Sequence, residues 1–206
     1  PLQGKRVAYH DKTSQKTPGL THNYRMGLSY AITDNHQLSL TYTGKWDSSH
    51  PHHETTGTGT SQQQGNEHIY LHNVDASYNL PFGLQIGISY LNYQNPSQQY
   101  LAGTMLNEER ILYTNSKQVI DKWLFTADQS HSLKKGWELS YGMKFQNCNN
   151  RSYQTTTNKD GAEIPDATSQ VNIEERILSF YGGISKQINE RISLEASVEA
   201  EQYHSP

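Results

Sequence analysis

The sequence lacks any run of about 18–20 apolar residues, the length that a transmembrane helix requires. Only 33% of its 206 residues are hydrophobic. These two features exclude a helical membrane protein. They do not exclude a membrane β-barrel, because only every second residue of a barrel strand faces lipid. Wholesale disorder is disfavoured as well, since aromatic residues make up 10% of the chain and include 14 tyrosines.

Cysteine is nearly absent, and neither sign of charge is in large excess. Cys148 is the single cysteine, so no disulfide can form within the chain. The formal net charge is -3, and no basic patch is interleaved with aromatic residues. We therefore expect no nucleic-acid partner.

Sequence motifs for catalysis are also missing. The chain has no nucleophile elbow, Walker loop, dinucleotide-binding glycine motif or helical metalloprotease motif. Asp75, Asp121 and His131 fall at possible lumen or rim positions of a barrel, but nothing in the sequence ties them into a constellation. We expect that the protein is not an enzyme, and no cofactor is predicted.

The sequence does contain four pairs of segments in which apolar residues occupy every second position. Such alternation places apolar residues on one face of a β-strand and polar residues on the other. Polar turns join the members of each pair near residues 33–36, 81–83, 131–136 and 189–191. The predicted apolar faces are Tyr24, Met26, Leu28, Tyr30 and Ile32; Leu38, Leu40, Tyr42 and Trp46; Tyr70, Val74, Ala76, Tyr78 and Leu80; Leu84, Ile86, Ile88 and Tyr90; Val119, Trp123, Phe125 and Ala127; Trp137, Leu139, Tyr141, Met143 and Phe145; Leu178, Phe180 and Ile184; and Ile192, Leu194, Ala196, Val198 and Ala200.

The predicted strands are about 9–12 residues long, close to what a tilted strand needs to cross a bilayer. Long polar loops are predicted at 47–67, 94–117 and 147–173. Short turns at one rim and long loops at the other are typical of outer-membrane barrels. The sequence therefore predicts an all-β fold, an antiparallel up-and-down meander of about eight long strands that is part of a transmembrane β-barrel.

Aromatic residues recur near the predicted strand ends. Tyrosine and tryptophan favour the headgroup layer of a membrane, where one end of the ring is apolar and the other is wet. The pattern predicts lipid-facing aromatic girdles built from Tyr24, Trp46, Tyr70, Tyr93, Trp123, Trp137 and Tyr203. Tyrosine is also a good strand residue in any sheet, so this count alone does not require a membrane.

The first predicted loop holds the one group of residues that suggests metal chemistry. His50, His52 and His53 lie close together in sequence, and neutral imidazoles ligate transition metals. His68 and His72 follow about one loop-width away. A metal or haem contact at His50, His52 and His53 is one interpretation. A plain polar loop, whose histidines never converge, is the other.

One predicted hairpin begins Glu174-Glu175-Arg176-Ile177-Leu178-Ser179-Phe180 and continues through Ile192-Ser193-Leu194-Glu195-Ala196. This hairpin and the segments 126–144 and 30–40 resemble the β-barrels of TonB-dependent outer-membrane receptors from Bacteroidota-like bacteria. In that family the second strand of this hairpin usually ends in a Gly-Leu-Arg-Tyr-Glu-like motif. Here 196–201 lacks that glycine and arginine.

The resemblance implies that residues 1–206 are a single segment of a barrel of about 22 strands, without its plug domain and remaining strands. The chain starts at Pro1 rather than Met and ends in a polar tail, which fits this expectation. The parent protein would lie in the outer membrane of a Gram-negative cell and import a siderophore, haem, a vitamin or a glycan. Its partners would be outer-membrane lipid, the imported small molecule or glycan, and a TonB-type energy-coupling protein that acts through the missing amino-terminal part.

Three alternatives remain open from the sequence. The chain could be a complete eight-stranded outer-membrane barrel with a structural or adhesin role, since eight strands suffice for closure. It could be a soluble β-barrel that binds a small ligand inside. It could also be a barrel enzyme. Pairing of the first strand with the last would favour the complete barrel, and oily faces packed inside a globule would favour the soluble protein.

Overall fold

The computed structural model describes residues 12–33, 36–57, 59–105, 108–190 and 192–205. Nearly all of them lie in β-strands. Two single 3-10 turns, Lys134–Gly136 and Pro165–Ala167, precede β8 and β9. The ten strands are β1 (Lys12–Lys16), β2 (Gly19–Thr33), β3 (His36–Ser49), β4 (His52–Thr56), β5 (Thr60–Asn79), β6 (Leu84–Met105), β7 (Glu108–Ser132), β8 (Trp137–Asn158), β9 (Ser169–Asn189) and β10 (Ile192–His204).

These strands form one antiparallel sheet with eight successive strand paths. β1 and β2 lie along one edge, where they pair with β4 and β3. β3 and β4 in turn pair with two halves of β5, and β5 to β10 follow in chain order. The first two paths are interrupted at Pro18 and Pro51, which have no N–H to donate to a ladder. The prediction of an all-β meander of about eight strands is confirmed.

The register aligns the predicted apolar positions across the sheet. Leu28 pairs with Leu40, and Leu40 pairs with Ala76. The same row continues through Ile88, Phe125, Phe145 and Leu178. Residues that pair in register project to the same face, so the apolar stripes of successive strands merge into one continuous surface.

Two of the predicted turns lie fully within the described residues. At 81–83 the amide of Gly83 donates to the carbonyl of Leu80 at 3.1 Å, and Gly83 has φ 86°, a value that favours glycine. At 131–136 the chain turns through the 3-10 segment before β8. The predicted turns at 33–36 and 189–191 include residues 34, 35 and 191, which lie outside the described residues.

The strands are much longer than predicted, and this corrects the loop assignment. β6, β7 and β8 have 22, 25 and 22 residues. They run through most of 94–117 and into 147–173, and β5 begins at Thr60 inside the predicted loop 47–67. The reason is physical: beyond a membrane both faces of a strand meet water, so the backbone ladder continues while the hydrophobic alternation stops.

The sheet has no apolar core. Among the described residues no hydrophobic side chain is buried, and Leu28 and Val198 are 67% and 72% exposed. A soluble β-sandwich or barrel buries such side chains against a second layer or inside itself. The alternative of a soluble ligand-binding barrel therefore does not fit this sheet. Within the described residues, no helix has the length and hydrophobicity needed to cross a membrane.

The edges of the sheet do not pair with each other. Over the described ranges, β2 pairs with β3 and β10 pairs with β9, and neither has a second partner strand. A complete eight-stranded barrel requires pairing of the first path with the last. The sheet is open, so it does not support that alternative.

Candidate functional site

The two faces of the sheet differ sharply in chemistry. The outward face carries the row of Leu28, Leu40 and Phe125, whereas the inner face carries the row of Ser39, Ser77 and Thr126. We take the outward apolar side chains of β8 to mark its membrane-spanning part, which is 137–145. Residues 125–132 of β7 pair with it in register, and Trp123 lies at its border. Lipid on one side and water on the other would satisfy both faces.

Aromatic side chains border the apolar part of the outward face. At the end of the apolar part far from the short turns, the outward face carries Tyr24, Trp46, Tyr70 and Trp123, as predicted. At the end near the short turns it carries Trp137. Tyr42 and Tyr90, which also lie on this face, extend the border. Tyr90 and Trp123 are in ring contact, with centroids 4.5 Å apart.

Two residues of the predicted girdle lie on the wrong face. Tyr93 pairs with Ile120 and Leu71 in an inner row, and Tyr203 pairs with Ile177. The prediction that they face lipid is therefore incorrect. A one-position difference decides the face of a strand residue, and Tyr93 is an odd number of positions away from Tyr90.

The inner face carries polar contacts both within and between strands. The hydroxyl of Tyr181 donates to a carboxylate oxygen of Asp128, two strands away. The hydroxyl of Ser179, which is fully buried, donates to Glu201 at 3.1 Å. Asp75 accepts a hydrogen bond from Asn73. These contacts give a hydrated surface that can line an aqueous lumen.

Tyr181 reaches Asp128 by lying across Gly142, which sits between them in the same row. A Cβ atom at Gly142 would approach the ring of Tyr181 and the carbonyl oxygen of Ala127, each at 2.7 Å. Glycine is therefore required where the ring covers the strand. The aromatic cover restores the packing that a strand glycine otherwise lacks.

A polar network lies on the outward face directly beyond Trp123. The carboxylate of Asp121 accepts hydrogen bonds from Asn92 at 2.7 Å, from the hydroxyl of Tyr90 at 3.0 Å and from Arg151 at 2.6 Å. The sequence places Asp121 at a possible lumen or rim position, and the structure decides for the outward rim. The available signal was its even spacing from Trp123, which puts a charge on the lipid-facing side of β7.

The environment lowers the pKa of the Asp121 carboxyl. Partial burial alone would raise it, but the hydrogen bonds from Asn92, Tyr90 and Arg151 and the positive charge of Arg151 outweigh that effect. The carboxylate is therefore the favoured form at neutral pH, and the rim holds a charged pair rather than a neutral acid.

The predicted histidine site lies on the part of the sheet that extends beyond the membrane. His50 and His52 line one cleft of about 470 Å³, together with Gln64, Tyr100 and Tyr113. The two tyrosines pair across β6 and β7 with ring centroids 5.2 Å apart. The cleft offers hydrogen-bonding groups beside aromatic surfaces.

His53 does not join this cleft. It follows His52 directly in β4, so its side chain projects to the opposite face of the strand. Within the ranges that the structure describes, no group of three or more histidine, cysteine or acidic side chains is placed to hold a metal ion. Metal binding by His50, His52 and His53 remains a prediction, for which His50 and His52 are the pair on one face.

A sequence comparison decides the family. The model of the outer membrane protein beta-barrel family matches residues 82–205, which is more than half of the chain. The chain belongs to the outer membrane protein beta-barrel family. Its place is therefore the outer membrane, in agreement with the prediction. Membership also agrees with the expectation of a barrel protein rather than an enzyme.

No curated protein matches the sequence of this barrel protein. Among solved structures, the ferripyoverdine receptor of the outer membrane of Pseudomonas aeruginosa is similar at 11% identity and a TM-score of 0.48, with 99% of this chain and 38% of that chain covered. The ferric yersiniabactin uptake receptor FyuA from Yersinia pestis is similar at 8% identity and a TM-score of 0.49, with 92% and 33% covered.

The RagAB peptide transporter is similar at 8% identity and a TM-score of 0.49, with 89% of this chain and 32% of that chain covered. The barrel protein described here thus spans about a third of the length of these structures. With TM-scores below 0.5, the similarities assign neither ligand nor mechanism.

Proposed function

We propose that the chain is part of the wall of an outer-membrane uptake receptor of the TonB-dependent type. The observation that carries this proposal is the contrast between the two faces of one open sheet: the inner face is polar along its membrane-spanning part while the outward face is oily. A transport barrel needs this contrast, because its lumen is wet and its wall is in lipid. The sequence resemblance to TonB-dependent receptors adds the type.

We further propose that residues 1–206 form a single segment of a larger barrel. In lipid every backbone N–H and C=O must be paired within the protein. The outer edges of β2 and β10 present such groups without a partner strand among the described residues. Additional strands on both sides would satisfy them and would enlarge the lumen beyond that of an eight-stranded barrel.

In this proposal the long paired extensions of β5 to β9 stand on the cell exterior and capture the nutrient. The inner face then lines its path. Energy coupling belongs to a TonB-type partner, which would act through a plug that is not part of this segment. The classes to be tested as cargo are ferric siderophores, haem, vitamins and glycans, and also peptides.

The test measures uptake in cells that produce the full-length protein. We would compare labelled uptake of a ferric siderophore, haem, cobalamin, an oligosaccharide and a peptide between wild-type cells and a strain that lacks the protein. We expect one class to lose uptake in the deletion strain, and we expect a protonophore to abolish the same uptake in wild-type cells.

Two results would refute the proposal. One is unchanged uptake of all five classes in the deletion strain although the wild-type protein is present in the outer membrane. The other is uptake that depends on the protein but persists with the protonophore, which would indicate a passive pore. A separate experiment tests whether the chain closes on itself. Cysteines introduced in β2 and β10 would form a cross-link only in a closed eight-stranded barrel.

A further inference from the structure

The outward face carries a basic cleft directly beyond the membrane-spanning part of β7 and β8. The cleft has a volume of about 340 Å³. It is lined from β7 and β8 by Lys117, Val119, Asp121, Arg151 and Tyr153, and from β6 by Asn92 and Gln94. All of these residues have the register parity of Trp123, so they lie on the lipid side rather than the lumen side.

The two cations of the cleft are neighbours with unused donors. Lys117 pairs with Tyr153 in the ladder and Arg151 pairs with Val119, so the two residues are diagonal neighbours across β7 and β8, with Cα atoms about 7–8 Å apart. Arg151 uses one terminal nitrogen for Asp121. In the described part of the chain, Lys117 has no carboxylate partner, and Arg151 makes no second ion pair.

The carboxylate of Asp121 does not cancel the two positive charges of Lys117 and Arg151. Asp121 is already satisfied by Asn92, Tyr90 and Arg151. Three charged side chains therefore leave one net positive charge, with lysine, arginine and tyrosine donors facing one volume. Such a set matches a phosphate group in both charge and hydrogen-bonding capacity.

The end of the cleft nearest the membrane lies at the height of the headgroups of the outer leaflet. Asp121 and Lys117 are two and six residues beyond Trp123, which corresponds to roughly 5–15 Å along the membrane normal for a tilted strand. The headgroup layer on each side of a bilayer is about 5–8 Å thick. A lysine side chain can bend toward it from above.

We propose that this cleft binds the phosphate of a phosphorylated lipid in the outer leaflet of the outer membrane. The acyl chains of the lipid would lie on the apolar face below Trp123, and its phosphate would bridge Lys117 and Arg151. The inference rests on the outer-membrane location and the sheet register, and it holds whatever nutrient the protein transports.

The test uses the full-length protein in nanodiscs of phosphatidylcholine to which lipid A is added, with bound lipid counted by native mass spectrometry. We expect Lys117→Gln to reduce lipid A binding by about fivefold, since one cation near a membrane surface contributes about 1 kcal/mol. Lys117→Arg should retain binding. The matched control is Lys122→Gln, which removes the same charge from the inner face of the same strand.

The other arms separate the sources of phosphate. Dephosphorylated lipid A should bind no better to the wild type than to Lys117→Gln, and inorganic phosphate should not displace bound lipid A. Equal losses for Lys117→Gln and Lys122→Gln would overturn the proposal. So would equal binding of dephosphorylated lipid A, or displacement by inorganic phosphate, which would indicate a general anion site.

Discussion

A charge introduced on the outward face should destabilise the protein far more than the same charge one residue away. Ile88 lies on the outward face of β6, between Ala76 and Phe125 in register, and is 38% exposed on the bare sheet. Ser89 follows it and faces inward, opposite Asp75. Ile88→Arg and Ser89→Arg therefore place the same side chain on the lipid side and the lumen side.

The magnitude follows from the position of Ile88 in the apolar stripe of β6. Two outward residues on the short-turn side, Leu84 and Ile86, and Tyr90 on the other side separate it from polar surroundings. Asn92, the next polar outward residue, is about 13 Å away along the strand, farther than an arginine side chain extends. Arginine near the middle of the membrane costs about 2–4 kcal/mol, so we expect Ile88→Arg to lower the free energy of unfolding by that amount.

Ser89→Arg should change the free energy of unfolding by less than about 1 kcal/mol, because its guanidinium would meet water and the carboxylate of Asp75. The measurement is equilibrium urea unfolding of the full-length protein in phospholipid bilayers, followed by tryptophan fluorescence. Equal losses for the two variants, or a larger loss for Ser89→Arg, would refute the assignment of the lipid-facing side.

Further predictions concern the extensions, the rim, a strand glycine and the histidines. Backbone amides in 94–105 and 108–117 should resist hydrogen exchange because they are paired in β6 and β7, and exchange at the rate of an open loop would contradict the strand assignment. The pKa of Asp121 is lowered in the folded protein, so its stabilising contribution is fully present above the unfolded-state pKa of about 4 and is lost as pH falls through the lower folded pKa. Asp121→Asn should therefore flatten this acidic part of the curve of unfolding free energy against pH. An unchanged curve would exclude the hydrogen-bond network around Asp121. Gly142→Val should lower the free energy of unfolding by about 1–3 kcal/mol in the urea assay. Gly182→Ala should have little effect, because its added atom meets nothing closer than 3.8 Å. The reverse order would argue against the packing of the Tyr181 ring over Gly142. If the predicted metal site exists, calorimetric titration with Zn²⁺ should give binding that His52→Ala abolishes and His53→Ala spares, and equal loss in both variants would place His53 in the site as well.

Sequence and structure agree where the two faces of a strand have different surroundings. Leu38 and Leu40 flank the polar Ser39 because one side of the strand meets lipid and the other meets water, and this contrast is visible in the sequence itself. The turn at 81–83 is also visible in the sequence, because it ends in a glycine and the turn needs a positive φ at that position. Family membership was also accessible, since the strand segments carry the resemblance.

The contacts made across strands required the register. Asp121 and Arg151 are 30 positions apart in sequence and meet only because β7 and β8 pair as they do. The same holds for Tyr181 and Asp128, which are separated by 53 positions. Parity within one strand can place a residue on a face, but it cannot identify its neighbour on the next strand.

By itself the sequence determined the strand class, the lipid-facing positions and the outer-membrane family, because a membrane wall imprints a two-residue period on any strand that crosses it. Tertiary structure decided the length of the strands beyond the membrane, the contact of Asp121 with Arg151, the separation of His53 from His52, and the basic cleft at the rim. In those regions water surrounds both faces or distant strands supply the partners, so no periodic signal within the local sequence records the arrangement.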